Sequence, residues 1–225
     1  MNMKDLTKTD LFAGIDESGV KMLLPCLNAR ERHYEKNDII ALEDDRIRFI
    51  GLVLEGTVNM VKEDIWGNET LLSFISPGEV FGETFALQTN PSSYVTFIAG
   101  EDCQVLFMRA DDMIHSCPDG CRCHGQLTKN IFNILGKKSV MLMEKIQVSS
   151  RSSLREKILS YLSILAEKQG KTVVESPLNR TRMADYLGVN RSAMTRELAS
   201  MKKEGLIDFE KNTYTIYSDE LEDVG

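Results

Sequence analysis

The chain has 225 residues, 42% of them hydrophobic, enough to build the cores of one or two globular domains. Its 34 acidic residues outnumber 27 Lys and Arg, and the resulting charge of −7 keeps loose attraction to polyanions modest. No stretch is apolar for long enough to span a bilayer, the start from Met1 to Lys8 lacks the apolar core of a secretion signal, and five cysteines cannot form a complete intramolecular disulfide framework. A cytoplasmic protein is expected.

Residues Leu6 to Arg32 read as a helical lead-in. From Asp38 to Met108 the sequence turns all-β, with short apolar runs at Ile39–Leu42, Phe49–Leu54, Val58–Val61, Thr70–Ile75, Tyr94–Ile98 and Gln104–Met108. Turn chemistry separates them at Glu55-Gly56, Trp66-Gly67-Asn68, Pro77-Gly78-Glu79 and Gly100-Glu101-Asp102. Short strands at such intervals imply a closed or folded-over antiparallel barrel. Cys26 and Cys103 stand among apolar neighbours and are expected to be buried packing residues.

Cys117, Cys121, Cys123 and His124 then concentrate three thiols and an imidazole. Soft ligands this close could hold zinc, an iron–sulfur cluster or haem iron, or act as a thiol switch with Arg122 favouring thiolate. The spacing matches neither a Cys-x-x-Cys zinc pattern nor a haem-attachment motif, so reduced cysteines meeting at a turn is the simpler reading.

A helix is expected from His124 to Gln147, with two apolar stripes. Leu127, Ile131, Ile134, Met141 and Val148 form one; Phe132, Leu135, Leu142 and Ile146 form the other. The barrel can cover one face and a second copy of the helix the other, giving a parallel coiled-coil homodimer. A polar hinge, Val148 to Ser153, follows, and Ser153 with Glu156 makes a capping-box pattern that opens the next helix through Ile158, Leu162 and Leu165.

Between Asn179 and Leu198 two short helices meet at Gly188, the permissive residue that a sharp interhelical turn needs. Met183 and Leu187 mark the inner face of the first helix; Met194, Leu198 and Met201 fall at i, i+4, i+7 on the second. The second helix then presents Arg191, Ser192, Thr195 and Arg196 outward, as a helix-turn-helix reader of the DNA major groove requires. Six cations from Arg180 to Lys203, Lys202 among them, face only Asp185 and Glu197, a local basic footprint suited to phosphate. Leu206–Glu210 and Thr213–Tyr217 alternate as two strands around a tight turn, which makes the unit a winged helix.

The order of these parts resembles the Crp/Fnr family of bacterial transcription regulators. Phe12-Ala13-Gly14, Glu55-Gly56, the segment from Pro77 to Glu83, and the helix-turn-helix from Arg180 to Leu198 carry the resemblance over nearly the whole chain. It implies an α+β protein: an antiparallel, jelly-roll-like sensor β-roll of the cyclic-nucleotide-binding type (residues 1–123), a long dimerisation helix (124–148), and a C-terminal winged helix-turn-helix (149–225). Positions matching Arg191, Ser192 and Arg196 face base edges in that family, and those matching Arg180, Thr181 and Asn190 touch phosphates. A near-palindromic duplex and RNA polymerase are the implied partners. Ser192 stands where many relatives carry Glu, so the preferred half-site is expected to differ.

The effector pocket implied by the resemblance comprises Phe81, Gly82, Glu83, Thr84, Ser92 and Ser93. Family members that bind cyclic AMP pair a Phe-Gly-Glu segment with a downstream arginine that neutralises the cyclic phosphate. Here no Lys or Arg occurs between Lys62 and Arg109. An uncompensated phosphate buried near Glu83 would cost several kcal/mol, roughly, so the expected signal is not cyclic AMP. No nucleophile elbow, phosphate-cradling glycine loop or His-Glu-x-x-His motif supports an enzyme. Two rivals stay open: an interaction module whose C-terminal domain docks protein, and a redox- or haem-responsive regulator using the Cys117–His124 cluster.

Overall fold

The computed structural model describes residues 3–114 and 122–217. It resolves into two compact units, Met1–Gly136 and Lys137–Gly225.

The first unit opens with α1 (Met3–Leu6), a 3-10 turn at Asp10–Phe12, and α2 (Glu17–Cys26). Asp16 caps α2: its carboxylate accepts from the Gly19 amide at 2.7 Å and from Ser18, which holds its pKa below the ordinary carboxylate value. The roll follows, with β1 (Arg30–Tyr34), β2 (Ile39–Ala41), β3 (Phe49–Glu55), β4 (Val58–Glu63), β5 (Glu69–Ile75), β6 (Val80–Phe81), the short helix α3 (Glu83–Ala86), β7 (Thr96–Ala99) and β8 (Cys103–Arg109). Every pairing is antiparallel, in two four-stranded sheets ordered β1-β8-β3-β6 and β2-β7-β4-β5.

Two cores explain why β3 is apolar almost without interruption. Val53, Val58, Ile75, Phe81, Phe97 and Val105 fill the space enclosed by both sheets. Ile50, Leu52, Leu54, Leu106 and Met108 point the other way, against Leu11, Phe12, Leu23, Leu27, Met113 and Leu127 from the helices. A strand buried on both faces loses its polar alternation. Each such side chain contributes roughly 1.5–3 kcal/mol on burial.

Two expectations need correction. Residues 30–32, assigned to the helical lead-in, belong instead to β1 (Arg30–Tyr34), which pairs with β8 from Arg30↔Phe107 to Tyr34↔Cys103. Its sequence, Arg-Glu-Arg-His-Tyr, is exposed almost throughout, so an edge strand shows no apolar period. Cys26 is exposed at the end of α2, its thiol directed at the Met22 carbonyl, because Val20 and Leu23 carry the buried face of that helix.

After α4 (Ala110–Ile114), α5 (Arg122–Ser149) runs through both units. Leu127, Ile131 and Ile134 enter the core of the first unit and Val148 enters that of the second. Met141, expected on the same covered stripe, is instead 59% exposed, and so are Phe132 (66%), Leu142 (61%) and Ile146 (65%). Nothing in this chain buries that face between Gly136 and Gln147 among the described residues.

The second unit continues with α6 (Leu154–Gln169), β9 (Val173–Glu175), α7 (Arg180–Leu187), α8 (Arg191–Lys203), β10 (Ile207–Glu210) and β11 (Thr213–Ile216). Ser153 and Glu156 make the expected capping box at the start of α6. The strands form one antiparallel sheet, β10-β11-β9, with Lys211 at positive φ in the β10–β11 turn. Ile158, Leu162, Val174, Leu187, Leu198 and Tyr214 close a core drawn from every element of the unit.

Candidate nucleic-acid interface and sensor roll

Asn179 and Asn190 start α7 and α8 by the same device. The Asn179 side chain accepts from the Arg182 amide at 3.0 Å; that of Asn190 accepts from Ser192 and Ala193 at 2.9 and 3.3 Å. Gly188 ends α7 in the left-handed conformation at φ 65° and turns the chain into α8. Met194, Leu198 and Met201 are buried, as their spacing implied, while Arg191, Ser192, Thr195 and Arg196 are exposed together on the opposite face of α8. Thr195 donates its hydroxyl to the Arg191 carbonyl one turn back at 2.9 Å and remains exposed.

The residues expected at phosphates divide into two groups. Thr181 and Asn190 are exposed, Asn190 keeping its amide NH2 beside its capping oxygen. Arg180 and Lys202 are drawn into the wing. The Arg180 guanidinium lies 4.4 Å from the Phe209 ring centre and 5.0 Å from that of Tyr214, and donates to the Tyr214 hydroxyl. Lys202 pairs with Asp208 and sits 5.3 Å over Phe209; the pair holds the Asp208 carboxyl below its ordinary pKa. These aromatic and acidic partners come from β10 and β11, beyond the reach of the charge pattern that singled out the two cations.

In the roll, the expected pocket residues play unequal parts. Phe81 is core: its ring packs at 5.0 Å from Phe97, 6.1 Å from Phe107 and 6.3 Å from Phe49. Gly82 turns at φ 81°, where an added Cβ would meet the Phe49 carbonyl oxygen at 2.9 Å. Glu83 is 2% exposed and accepts from Thr84 at 3.0 Å. Ile47 joins the two halves of this set, its side chain beside Gly82 and its amide donating to the Pro91 carbonyl. Ser92 bridges to Arg46. Ser93 is buried with its hydroxyl given to the Val95 carbonyl at 2.6 Å.

Along the chain no Lys or Arg stands near this segment, between Lys62 and Arg109. Folding brings two from elsewhere. Arg46 forms the backbone bridge to Ser92, and Lys62 lies 4.0 Å over the Tyr94 ring. Lys62 is paired with Glu43, the leading cause of its raised pKa.

Two protein-family models match this chain. A cyclic nucleotide-binding domain covers residues 31–117 and a Crp-like helix-turn-helix domain covers residues 156–222. The chain belongs to the Crp/Fnr family. The transcriptional activator protein FnrL of Cereibacter sphaeroides is 23% identical over 199 residues, spanning 84% of this chain and 76% of FnrL. The anaerobic regulatory protein of Haemophilus influenzae is 22% identical over 193 residues, 83% of this chain and 72% of the relative. Among solved structures, OCPA-complexed CprK superposes with a TM-score of 0.68 at 18% identity, covering 88% of this chain and 91% of CprK.

This Crp/Fnr protein is therefore a DNA-binding transcription regulator with a ligand-binding type of β-roll, and its relatives are regulators rather than enzymes. Among the described residues no helix is long and apolar enough to cross a membrane. Cys117 and Cys121 of the thiol cluster lie outside the described residues. Of the other two candidates, Cys123 is half-buried, its sulfur 2.9 Å from where a Cβ on Gly19 would fall. His124 is buried in the first turns of α5, its carbonyl accepting from Thr128. No three His, Cys, Asp or Glu side chains among the described residues are grouped to hold a metal ion. Cys103 is buried, which pushes its thiol pKa up and leaves it a packing residue.

Proposed function

We propose that this Crp/Fnr regulator works as a cytoplasmic homodimer that reads a near-palindromic duplex with two copies of α8 and acts on RNA polymerase there. One observation carries the reading: α8 buries Met194, Leu198 and Met201 and exposes Arg191, Ser192, Thr195 and Arg196 along one face. Two copies placed in successive major grooves would read half-sites about one helical turn apart. Arg196 suits guanine, since a guanidinium can donate to O6 and N7 together. Thr181 and the amide of Asn190 would contact phosphates. Arg180 and Lys202, held against the wing, would contribute positive potential and wing placement.

The exposed stripe of α5, with Phe132, Leu142 and Ile146, supports dimerisation, because a large apolar helix face gains most by meeting its own copy. The roll would sense a signal other than cyclic AMP. Ser93 spends its hydroxyl on Val95, Lys62 is committed to Glu43, and Arg46 is exposed at the bridge to Ser92, so none of the three stands as the buried cation that a buried cyclic phosphate demands. Effector binding would shift the population between two orientations of the winged helices about the segment from Val148 to Ser153.

Selection of duplexes from a random pool tests this reading. It predicts enrichment of a two-fold-related motif, bound with an affinity that falls steeply as salt rises through counterion release. Failure to enrich any motif, or binding that ignores salt, contradicts it.

A further inference from the structure

One side chain of α6 fastens the recognition helix at two points. Arg155 donates from Nε to Glu197 at 2.7 Å, and from its two terminal nitrogens to the two carboxylate oxygens of Glu204 at 2.6 and 2.9 Å. Glu197 lies within α8 and Glu204 is its C-cap residue. Ser200, between them, also donates to Glu204 at 2.8 Å. Arg155 itself stands in the first turn of α6, just after the Ser153 cap.

The apolar packing of α8 leaves work for such a contact. Two of its three buried side chains, Met194 and Met201, are methionines, and they pack with a third, Met183 of α7. Methionine fills space well but specifies it poorly, because three rotatable bonds let it follow small displacements. A planar fork does the opposite, since two parallel N–H···O bonds hold only in one plane and at one distance. The margin is small. A side-chain tip about 6 Å from a helix axis moves about 1 Å for a rotation of roughly 10°, enough to break a bidentate bond to a base.

We propose that Arg155 is a positioning residue for base readout: through Glu197 and Glu204 it sets the rotation and axial placement of α8, so that Arg191 and Arg196 meet base edges in one register. This rests on the assignment of α8 as the reading helix. It also accounts for Glu197 and Glu204 in a helix that must approach phosphates, since both carboxylates are turned to the guanidinium of α6.

The test uses the full chain and two probes: a duplex enriched from a random pool by the unmodified protein, and a shuffled duplex of the same composition. The readout is the ratio of the two affinities, which does not depend on the fraction of active protein. Arg155→Lys keeps the charge and loses the fork, and its ratio should fall roughly tenfold while the slope of log affinity against log salt changes by less than about one. Glu204→Gln should lower the ratio similarly, and the double variant should lose little more than either single one. Should Arg155→Lys fail to fold, Glu204→Gln still decides by the same ratio. An unchanged ratio in Arg155→Lys, or equal weakening on both probes, overturns the proposal and leaves the DNA-reading assignment standing. Absence of any preference in the unmodified protein overturns both.

Discussion

Asn190 caps α8, and on the proposed reading it also touches a phosphate; substitution can separate the two. Its side-chain oxygen accepts from the Ser192 and Ala193 amides at 2.9 and 3.3 Å, closing the open end of α8. Asn190→Ala removes that acceptor and should lower the stability of the second unit by about 1 kcal/mol. Asn190→Asp keeps the acceptor and places a negative charge at the positive end of the helix dipole, where it should add about 0.3–1 kcal/mol. On the DNA-reading account the same end abuts a phosphate. A carboxylate about 4 Å from a phosphate costs about 1 kcal/mol in a water-like dielectric. With one site in each half of a dimer that is about 2 kcal/mol, or roughly thirtyfold in affinity. Urea unfolding followed by circular dichroism gives the stability, and anisotropy of a labelled duplex gives the affinity. If Asn190→Asp is as unstable as Asn190→Ala, the capping argument is wrong. If it is stable and binds duplex like the unmodified chain, the start of α8 does not face phosphate.

Three more outcomes are expected. Burial pushes the Tyr161 hydroxyl up to about 12, against about 10 when unfolded, so the folded state keeps a proton that the unfolded chain releases; stability should decline from pH 10 to 12, and Tyr161→Phe should flatten that decline in alkaline unfolding curves. Gly56 sits at φ 74° with an added Cβ 2.2 Å from the Asp102 carbonyl oxygen, so Gly56→Ala should cost roughly 3 kcal/mol or more in thermal unfolding of the roll, and a loss below about 1 kcal/mol would contradict the geometry. Leu142→Glu alters a side chain that is 61% exposed in the single chain; sedimentation should show monomer with unchanged circular dichroism, whereas an intact dimer would place the interface elsewhere.

What the sequence disclosed follows from how local each feature is. Met194, Leu198 and Met201 repeat at helical spacing, Gly188 is a turn residue between two helical patterns, and Ser153 caps a helix through a residue three positions on, so all were readable in short windows. The edge strand β1 was hidden because Arg30 to Tyr34 show no apolar alternation; only pairing with β8, about seventy residues away, defines it. The cations were the least legible part of the site. A charge count treats Arg155, Arg180 and Lys202 alike. Folding gives Arg155 to Glu197 and Glu204, Arg180 to the Phe209 and Tyr214 rings, and Lys202 to Asp208, leaving Arg191 and Arg196 on the outer face of α8. Such partners lie on other elements, at separations that no periodicity records.

The most direct test of the central claim is a base-by-base comparison of Arg196→Ala with the unmodified protein on every single-position variant of the selected duplex. Loss of one bidentate contact should cost roughly 1–3 kcal/mol of discrimination at one base pair in each half-site and leave preferences elsewhere intact. Uniform weakening at all positions, or an unaltered preference profile, would show that the exposed arginines of α8 do not read DNA sequence.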